Sequence, residues 1–202
     1  MPPLPPLDTT VFRALNSGAA NPAFDTVFPV LTSLHQQPVT LVIAAIASVV
    51  VLWRGTRRAR LWVVALLVAV GLSDLTCGRV VKRFVDRERP CQMVARAARM
   101  TPNDVVRVVN PKNCPGSRSF PSNHAANAMA AASVAWWLTR RRWRWAWFLL
   151  PLVIGYTRVY LGYHYPTDVI GGWLIGAAVA ALVLLIAAWA GMLKDDRQPL
   201  PT

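Results

Sequence analysis

The sequence predicts an all-α integral membrane protein, a bundle of about five transmembrane helices with an N-terminal interfacial helix in front of them. Two observations carry this prediction. Hydrophobic residues make up 54% of the 202 positions and stand in long runs instead of short periodic patches, and basic residues are concentrated between the runs. Both features are typical of membrane proteins, so residues 1–202 are interpreted as a single membrane-embedded domain.

Five runs are candidates for membrane spans, because a helix needs about 20 mostly apolar residues to cross a bilayer. Leu61 to Val81 and Val169 to Met192 are long enough by themselves. Three shorter runs gain length from amphipathic residues at their ends, which reach into the headgroup region. These are Pro38 to Trp53, Ala125 to Leu138 and Trp145 to Leu161.

The N-terminal segment, residues 1–36, is expected to lie in the membrane interface. It has no basic cluster ahead of an apolar core, so we expect it to be retained and not cleaved as a signal peptide. Asn21 can cap a helix that begins at Pro22. One face of that helix is apolar and carries Phe24, Val27, Phe28 and Leu31.

The net charge of +13 would indicate nucleic-acid binding in a soluble chain. In this sequence membrane orientation explains it, and no nucleic acid is expected as a partner. Basic clusters follow the first, third and fifth runs, which places these loops and the tail 194–202 in the cytoplasm. They are Arg54, Arg57, Arg58 and Arg60; Arg140, Arg141, Arg142 and Arg144; and Lys194 and Arg197.

The opposite face, periplasmic or extracellular if the protein lies in the inner cell membrane, then carries the N-terminus and the loops 82–121 and 158–168. Orientation does not explain why the outer loop 82–121 is itself basic, and we expect an anionic substrate to account for this charge. Its basic residues are Arg83, Arg87, Arg96, Arg99, Arg107, Lys112 and Arg118.

Two cysteines of the outer loop, Cys91 and Cys114, leave two alternatives open. They form a disulfide, which is stable outside the cytosol, or they are two separate thiols. Within the second run, Asp74 is an ionisable residue and therefore a functional hypothesis by default. A structural role with Arg79 as candidate partner is the favoured interpretation.

Three groups of polar residues stand at run ends on the predicted outer face. In the first group Lys82 is followed, after six residues, by Arg89 and Pro90. Two cations at this position can clamp phosphate oxygens. Taken alone, they are better explained as basic residues at a helix end that reach toward the interface.

The second group, Pro121 to His124, opens the third run. Ser122 or Asn123 can cap this helix, whose free amides and positive dipole end would face an anion, with His124 beside it. A capped helix followed by an incidental histidine explains the same residues equally well.

The third group joins the fourth and fifth runs: Thr157 and Arg158, then His164 after five residues, then Asp168 after three. Pro166 suits a first helical turn, so His164 and Asp168 lie about one turn apart and can meet. A carboxylate that holds one ring nitrogen leaves the other free to attack. An ordinary interfacial pair of histidine and aspartate is the alternative.

The arginine-rich loops place all three groups on one membrane face, although they are far apart in sequence. Two histidines, three cations and one carboxylate at one mouth suit phosphoryl transfer, which depends on positioning and charge stabilisation. The sequence has no Cys/His/Asp set with zinc spacing, and neither a metal nor another cofactor is expected.

Together these residues resemble the phosphatidic acid phosphatase type 2 superfamily, from the second run to the fifth. The family pattern is Lys, six residues, Arg-Pro; then Pro-Ser-Gly-His; then Ser-Arg, five residues, His, three residues, Asp. Asn123 stands where glycine is usual and Thr157 where serine is usual; Asn tolerates left-handed backbone angles and Thr keeps the hydroxyl, so activity is still expected. The positions that match in order are Lys82, Arg89, Pro90, Pro121, Ser122, His124, Arg158, His164 and Asp168.

The resemblance implies a metal-independent, vanadate-sensitive lipid phosphatase. His164 would attack phosphorus to form a phosphohistidine, Asp168 would orient it, and His124 would protonate the leaving oxygen and then activate water. The phosphate oxygens would be held by Lys82, Arg89, Arg158, Ser122 and Asn123.

The sequence does not fix which membrane lipid is the substrate, nor the oligomeric state. Undecaprenyl diphosphate ranks first because the basic outer loop suits a multiply charged headgroup, ahead of phosphatidylglycerophosphate, phosphatidate and lipid A phosphates. A lipid phosphotransferase, which passes the phosphoryl group to a hydroxyl acceptor, is one alternative. A non-catalytic basic membrane protein with a degenerate site is another.

Overall fold

A computed structural model of the protein describes residues 6–97, 106–139 and 141–192, and the regular structure in these residues is entirely helical. The all-α prediction is therefore confirmed. The predicted tail 194–202 and the basic residues Arg99 and Arg140 lie outside the described residues. The main helices are α1 (Pro6–Arg13), α2 (Pro22–Ser33), α3 (Pro38–Arg54), α4 (Arg57–Phe84), α5 (Pro90–Ala97), α6 (Asn123–Leu138), α7 (Leu149–Tyr160) and α8 (Pro166–Trp189).

The helix starts near the predicted site are set by the residues that the sequence indicates. Asn21 caps α2 by accepting a hydrogen bond of 2.8 Å from the Ala23 amide. Ser122 caps α6, and Pro166 occupies the first turn of α8, where its missing N–H costs nothing. Helix α1 is not predicted, because its sequence follows directly on a proline-rich stretch.

Two described helices are long and apolar enough to cross a membrane, α4 with 28 residues and α8 with 24. Helices α2 and α3, which bend by 45° relative to each other, give a third if they form one span. Helices α6 and α7 have 16 and 12 residues. The count of five spans and the interfacial position of α2 therefore stay predictions.

Close packing of α6 against α8 forms the centre of the bundle. A Cβ atom on Gly176 of α8 would lie 2.1 Å from the Ala126 carbonyl oxygen, and one on Gly172 would lie 2.5 Å from the Ser122 carbonyl oxygen. Two glycines one turn apart therefore let the two backbones touch, as in membrane helix pairs. Helix α4 completes the centre with Ala69, buried against both α6 and α8.

The N-terminal helices cover α7 on the outside of this centre. Phe28 of α2 packs its ring on Tyr160 and Tyr156 of α7, at centroid distances of 5.0 and 5.6 Å. The buried Asn16 side chain donates hydrogen bonds of 2.7 Å to the Tyr160 carbonyl and 2.9 Å to the Arg107 carbonyl. These contacts fix the N-terminal segment to the outer loop and to the end of α7.

A disulfide joins Cys91, at the start of α5, to Cys114, with the two Cα atoms 5.9 Å apart. This decides between the two alternatives that the sequence leaves open. The remaining cysteine, Cys77, is a free and buried thiol in α4.

Candidate active site

A cavity of about 680 Å³ lies where α4 ends and α6 and α8 begin. Its polar wall brings together most of the predicted site residues from all three groups. The apolar part of the lining comes from α2, the 3₁₀ turn Leu34–Gln36 that follows it, α4 and α7, with Leu31, Leu34, Val70, Leu150 and Ile154. The polar wall includes Lys82, Arg89, Asn123, His124, Arg158 and His164.

Backbone hydrogen bonds join the three groups to one another, so their arrangement does not depend on side chains alone. Gly162, at the end of α7, has a φ of +77°, and a Cβ atom there would lie 2.7 Å from the Arg107 carbonyl oxygen. Only glycine fits this turn, which brings the chain from α7 to His164. The joining bonds run from Ser119 N to Arg87 O (2.7 Å), from Cys91 N to Gly162 O (2.9 Å) and from Ser122 N to Asp168 O (3.0 Å).

His164 is almost completely buried, with its two ring nitrogens in different surroundings. Its Nε2 lies 2.7 Å from Arg89 Nη1. A guanidinium only donates, so Nε2 carries the lone pair and the ring proton is on Nδ1. Burial, and then the charges of Arg89, Arg158 and Lys82, hold the pKa of His164 well below its ordinary value. The ring is therefore neutral at neutral pH, as a nucleophile requires.

Asp168 lies behind His164, on the side away from the cavity. Its Oδ2 is 3.6 Å from His164 Nδ1, which is close enough for an ion pair but longer than a hydrogen bond. Oδ2 accepts hydrogen bonds from Ser119 Oγ and from the Tyr165 amide, the latter at 2.8 Å. Oδ1 accepts from Arg87 Nη1 at 2.7 Å. The predicted approach of Asp168 to His164 is present, although these other donors hold the carboxylate.

Arg89 is held by oxygen atoms of the outer loop. Its Nε donates to the Ser117 carbonyl at 2.7 Å, and its Nη2 donates to Ser117 Oγ at 2.9 Å. Its Nη1 also donates to the Tyr163 carbonyl at 3.1 Å. Burial lowers the pKa of Arg89 to about 10, so the side chain stays charged at neutral pH. A fixed cation beside the His164 lone pair is suited to bind a phosphate oxygen.

Arg158 and Lys82 add further positive charge to the cavity. Arg158 is buried, donates to Thr32 Oγ1 at 3.0 Å and lies over the ring of Tyr163, at 4.7 Å from the centroid. Its buried Nε has no hydrogen-bond partner among the described residues. A buried donor of this kind is costly unless something accepts from it, and an anion in the cavity would do so.

The second group divides between the cavity and the protein interior. Asn123 and His124 line the cavity in the first turn of α6, where the helix amides favour an anion. Ser122 is fully buried, and its hydroxyl accepts from the Ala125 amide. Its placement supports a capping role, and its predicted contact with phosphate stays untested.

Asp74 faces the same cavity, and the expected pairing with Arg79 is wrong. Its Oδ1 accepts hydrogen bonds from the side-chain amides of Asn123 (3.0 Å) and Asn127 (3.2 Å). This carboxylate of α4 therefore connects to two positions of α6 on either side of His124. Arg79 is exposed and lies five positions further along α4.

Three arginines of the outer loop, which were predicted to face an anionic substrate, form ion pairs with acidic side chains of the protein. Arg87 pairs with Asp8 and Asp168. Arg107 pairs with Asp25, and Arg118 pairs with Asp86 at 3.1 Å. For these three arginines the inferred anionic substrate is not the explanation, because acidic side chains of the protein already neutralise them. The sequence gives no signal for these pairings, since the partners of Arg87 and Arg107 are about 80 positions away.

Within residues 6–97, 106–139 and 141–192, no group of three His, Cys, Asp or Glu side chains is placed to share a metal ion. The cavity lining itself offers a neutral imidazole, a second imidazole and fixed cations. Metal-free chemistry stays a prediction.

Comparison with known proteins identifies the family. The sequence profile of the PAP2 superfamily matches residues 62–192, which include every predicted site residue. The chain belongs to the PAP2 superfamily. The resemblance inferred from the three groups is thereby confirmed, and the chain is a multi-pass membrane protein of this superfamily.

Two relatives of this PAP2 protein illustrate the range of lipid substrates. It is 35% identical over 141 residues to a lipid A 4'-phosphatase of Bacteroides thetaiotaomicron, covering 69% of this chain and 60% of that protein. It is 37% identical over 87 residues to an undecaprenyl-diphosphatase of Sulfolobus acidocaldarius, covering 43% of this chain and 41% of that protein. The matched part is thus less than two thirds of either relative.

A solved structure has the same fold over almost the whole chain. The first transmembrane PAP2-type phosphatidylglycerolphosphate phosphatase from Bacillus subtilis superposes with a TM-score of 0.65. The superposition covers 95% of this chain and 88% of that one, at 23% sequence identity. At this level of identity the similarity shows the fold alone.

Proposed function

We propose that this PAP2 protein is a membrane lipid phosphatase that removes phosphate from a lipid headgroup through a phosphohistidine on His164. One observation carries the proposal: the lone pair of a buried, neutral His164 faces a cavity lined by Lys82, Arg89 and Arg158. A nucleophile surrounded by fixed cations is what attack on a phosphate requires.

The side chains can be assigned to a two-step reaction. In the first step, His164 Nε2 bonds to phosphorus while the bond from phosphorus to the lipid oxygen breaks, and His124 gives that oxygen a proton. In the second step, His124 takes a proton from water, the water oxygen bonds to phosphorus and the P–N bond breaks. Asp168 orients the ring and stabilises its positive charge in the intermediate.

The phosphate oxygens are held by Lys82, Arg89, Arg158 and Asn123 while charge develops on them. Arg89 stays held by the outer loop, and the Nη1 hydrogen that meets His164 Nε2 passes to a phosphate oxygen as the ligand enters. The preformed cations cost no reorganisation during the reaction, which is the main source of rate enhancement in such sites.

The proposed location is the inner cell membrane, with the cavity on the periplasmic or extracellular face. The Cys91–Cys114 disulfide supports this face, because disulfides persist outside the cytosol. The arginines Arg57, Arg58 and Arg60 support it as well, since they begin α4 at the end opposite to Lys82.

Undecaprenyl diphosphate heads the proposed substrates, because a curated relative is an undecaprenyl-diphosphatase. Lipid A phosphate is the second candidate, because the relative matched over more of this chain is a lipid A 4'-phosphatase. The internal pairing of Arg87, Arg107 and Arg118 weakens the argument from the basic outer loop. The candidate substrates are distinguished by an assay of released phosphate. It compares these two lipids with phosphatidate and phosphatidylglycerophosphate.

The assignment of the histidines is tested with His164→Ala and His124→Ala in purified protein. We expect each variant to lose turnover by about a thousandfold or more, because the covalent route needs both groups. Rapid acid-free quenching with labelled substrate should give phosphohistidine in the wild type and none in His164→Ala. Full turnover in either variant would refute the assignment.

Matched lysine variants control for the loss of a positive charge. Lys82→Ala should lower kcat by about a hundredfold, the range for removal of one group that stabilises transition-state charge. Lys112→Ala removes an exposed lysine outside the cavity and should leave the rate unchanged. Unfolding temperatures of all four variants establish that each is folded.

A further inference from the structure

Two charged residues that the proposed reaction does not use, Arg87 and Asp8, form a chain of ion pairs behind Asp168. Arg87 donates from Nη1 to Asp168 Oδ1 at 2.7 Å and from Nη2 to Asp8 Oδ2. The side chain of Asp168 is 0% exposed and that of Asp8 is 1% exposed. Removing charged groups from water in this way is costly, so the arrangement calls for an explanation.

Asp8 reaches this position from α1, which precedes the part of the chain matched by the family profile. Its Oδ1 accepts from the Thr167 amide at 3.1 Å and its Oδ2 accepts from Thr167 Oγ1 at 2.7 Å. The first amides of a helix have no partner within the helix. Asp8 therefore caps α8 from another element, at the turn that carries Asp168.

Arg87 is the charged donor to the Asp168 carboxylate and holds the oxygen that does not face His164. Ser119 Oγ and the Tyr165 amide occupy Oδ2, which is also the oxygen that faces His164 Nδ1. Arg87 holds Oδ1, and its guanidinium is in turn fixed by Asp8 and by the Tyr165 ring, 4.3 Å from the centroid. Without Arg87, Oδ1 would lose its charged donor and the carboxylate could rotate away from the histidine.

We propose that Arg87, held by Asp8, is a positioning residue that aims Asp168 at His164, and that α1 is thereby part of the site. This rests on the proposed function, in which His164 is the nucleophile. Arg87 does not line the cavity and makes no contact with phosphate in this scheme. Its effect should therefore appear in the chemical step and not in anion binding.

The test uses Arg87→Gln, Arg87→Lys and Asp8→Asn in the full-length protein. We expect Arg87→Gln to lower kcat by about 10- to 100-fold, as loss of an outer-shell partner does in metal sites. KM and the inhibition constant of inorganic phosphate should change by less than about twofold, because ground-state binding is untouched. Arg87→Lys should recover part of the loss, since an ammonium still donates to one oxygen.

Asp8→Asn keeps the side-chain volume and removes one charge. It should also lower kcat, by a smaller factor than Arg87→Gln does. It carries the test if Arg87→Gln does not fold. The matched control is Arg107→Gln, in the same outer loop as Arg87. It breaks the ion pair between Arg107 and Asp25 of α2 and should leave kcat unchanged.

The outcomes separate this proposal from the proposed function. If wild-type protein releases no phosphate and forms no phosphohistidine, the proposed function fails. If the wild type is active while folded Arg87→Gln and Asp8→Asn keep full kcat, only the positioning role is overturned. An inhibition constant for phosphate that rises in step with the fall in kcat also overturns it, because Arg87 would then bind the anion itself.

Discussion

His164 has two ring nitrogens that face different parts of the protein. Nε2 meets a cation on the cavity side, while Nδ1 faces a carboxylate on the buried side. The cation favours the neutral ring before reaction, and the carboxylate stabilises the positive ring that forms when Nε2 bonds to phosphorus. One residue thus serves two stages of the proposed reaction without a change of position.

The lowered pKa of His164 predicts the pH range in which its ring stays neutral. A histidine with a lowered pKa is neutral above that value, so His164 should still be neutral at the pH where an exposed histidine, with its ordinary pKa near 6.5, becomes charged. Titration of ¹⁵N-labelled protein by NMR measures this directly, with the signal assigned by its loss in His164→Asn. A midpoint near 6.5, the ordinary value, would contradict the burial argument.

The structure brings most of the predicted site residues to one cavity, but their interaction partners are not visible in the sequence. The spacing of Lys82, Arg89, His124 and His164 at run ends is enough to predict one shared face. Asp8 carries no comparable signal, because its pairing with Arg87 depends on how α1 packs against α8. Interactions over such separations are set by the packed fold and are not visible in local sequence.

At the scale of elements, helix starts follow from local chemistry. Asn21, Pro22, Ser122 and Pro166 act where the sequence places them, because capping involves only residues a few positions apart. Membrane spans depend on more than local chemistry, since α6 has 16 residues and is buried against neighbouring helices. Packing therefore contributes to a span together with its length.

The close contact between the backbones of α6 and α8 can be tested by adding a single methyl group at Gly176. Gly176→Ala places a methyl group against the Ala126 carbonyl and should destabilise the protein by about 1 to 3 kcal/mol, the usual cost of overpacking. Thermal unfolding in detergent measures the loss. Because His124 and Asp168 begin these two helices, phosphate release should fall as well.

Gly71→Ala is the matched control for this change. Gly71 lies within α4 with nothing inside 4 Å of an added Cβ, so the substitution should keep or slightly raise the unfolding temperature. Equal unfolding temperatures for the two variants would show that the backbones of α6 and α8 can separate freely.

At the scale of the whole molecule, the Cys91–Cys114 disulfide closes part of the outer loop and joins the start of α5 to the segment that leads to α6. The two cysteines are 23 positions apart and close a loop, and loss of the bridge should cost about 3 kcal/mol in the chain-entropy model. Reductant should therefore lower the unfolding temperature of the wild type and have no further effect on Cys114→Ser. Phosphate release should weaken in parallel, because Ser117, which holds Arg89, follows directly on this bridge.

Peptide mapping without reductant should link Cys91 to Cys114 and find Cys77 free. A Cys77→Ser variant should keep the response to reductant, since that thiol takes no part in the bridge. Detection of Cys91 and Cys114 as free thiols would contradict the disulfide.

If the substrate is a lipid, as proposed, the apolar part of the cavity lining determines how it reaches the cations. Leu31, Leu150 and Ile154 come from helices at the flank of the bundle, so acyl or prenyl chains can remain among their neighbours in the leaflet while the headgroup enters sideways. The lipid and the protein then meet by diffusion within the plane of the membrane. The frequency of these encounters is governed by how densely the ligand populates the leaflet, whatever the volume of water around the membrane.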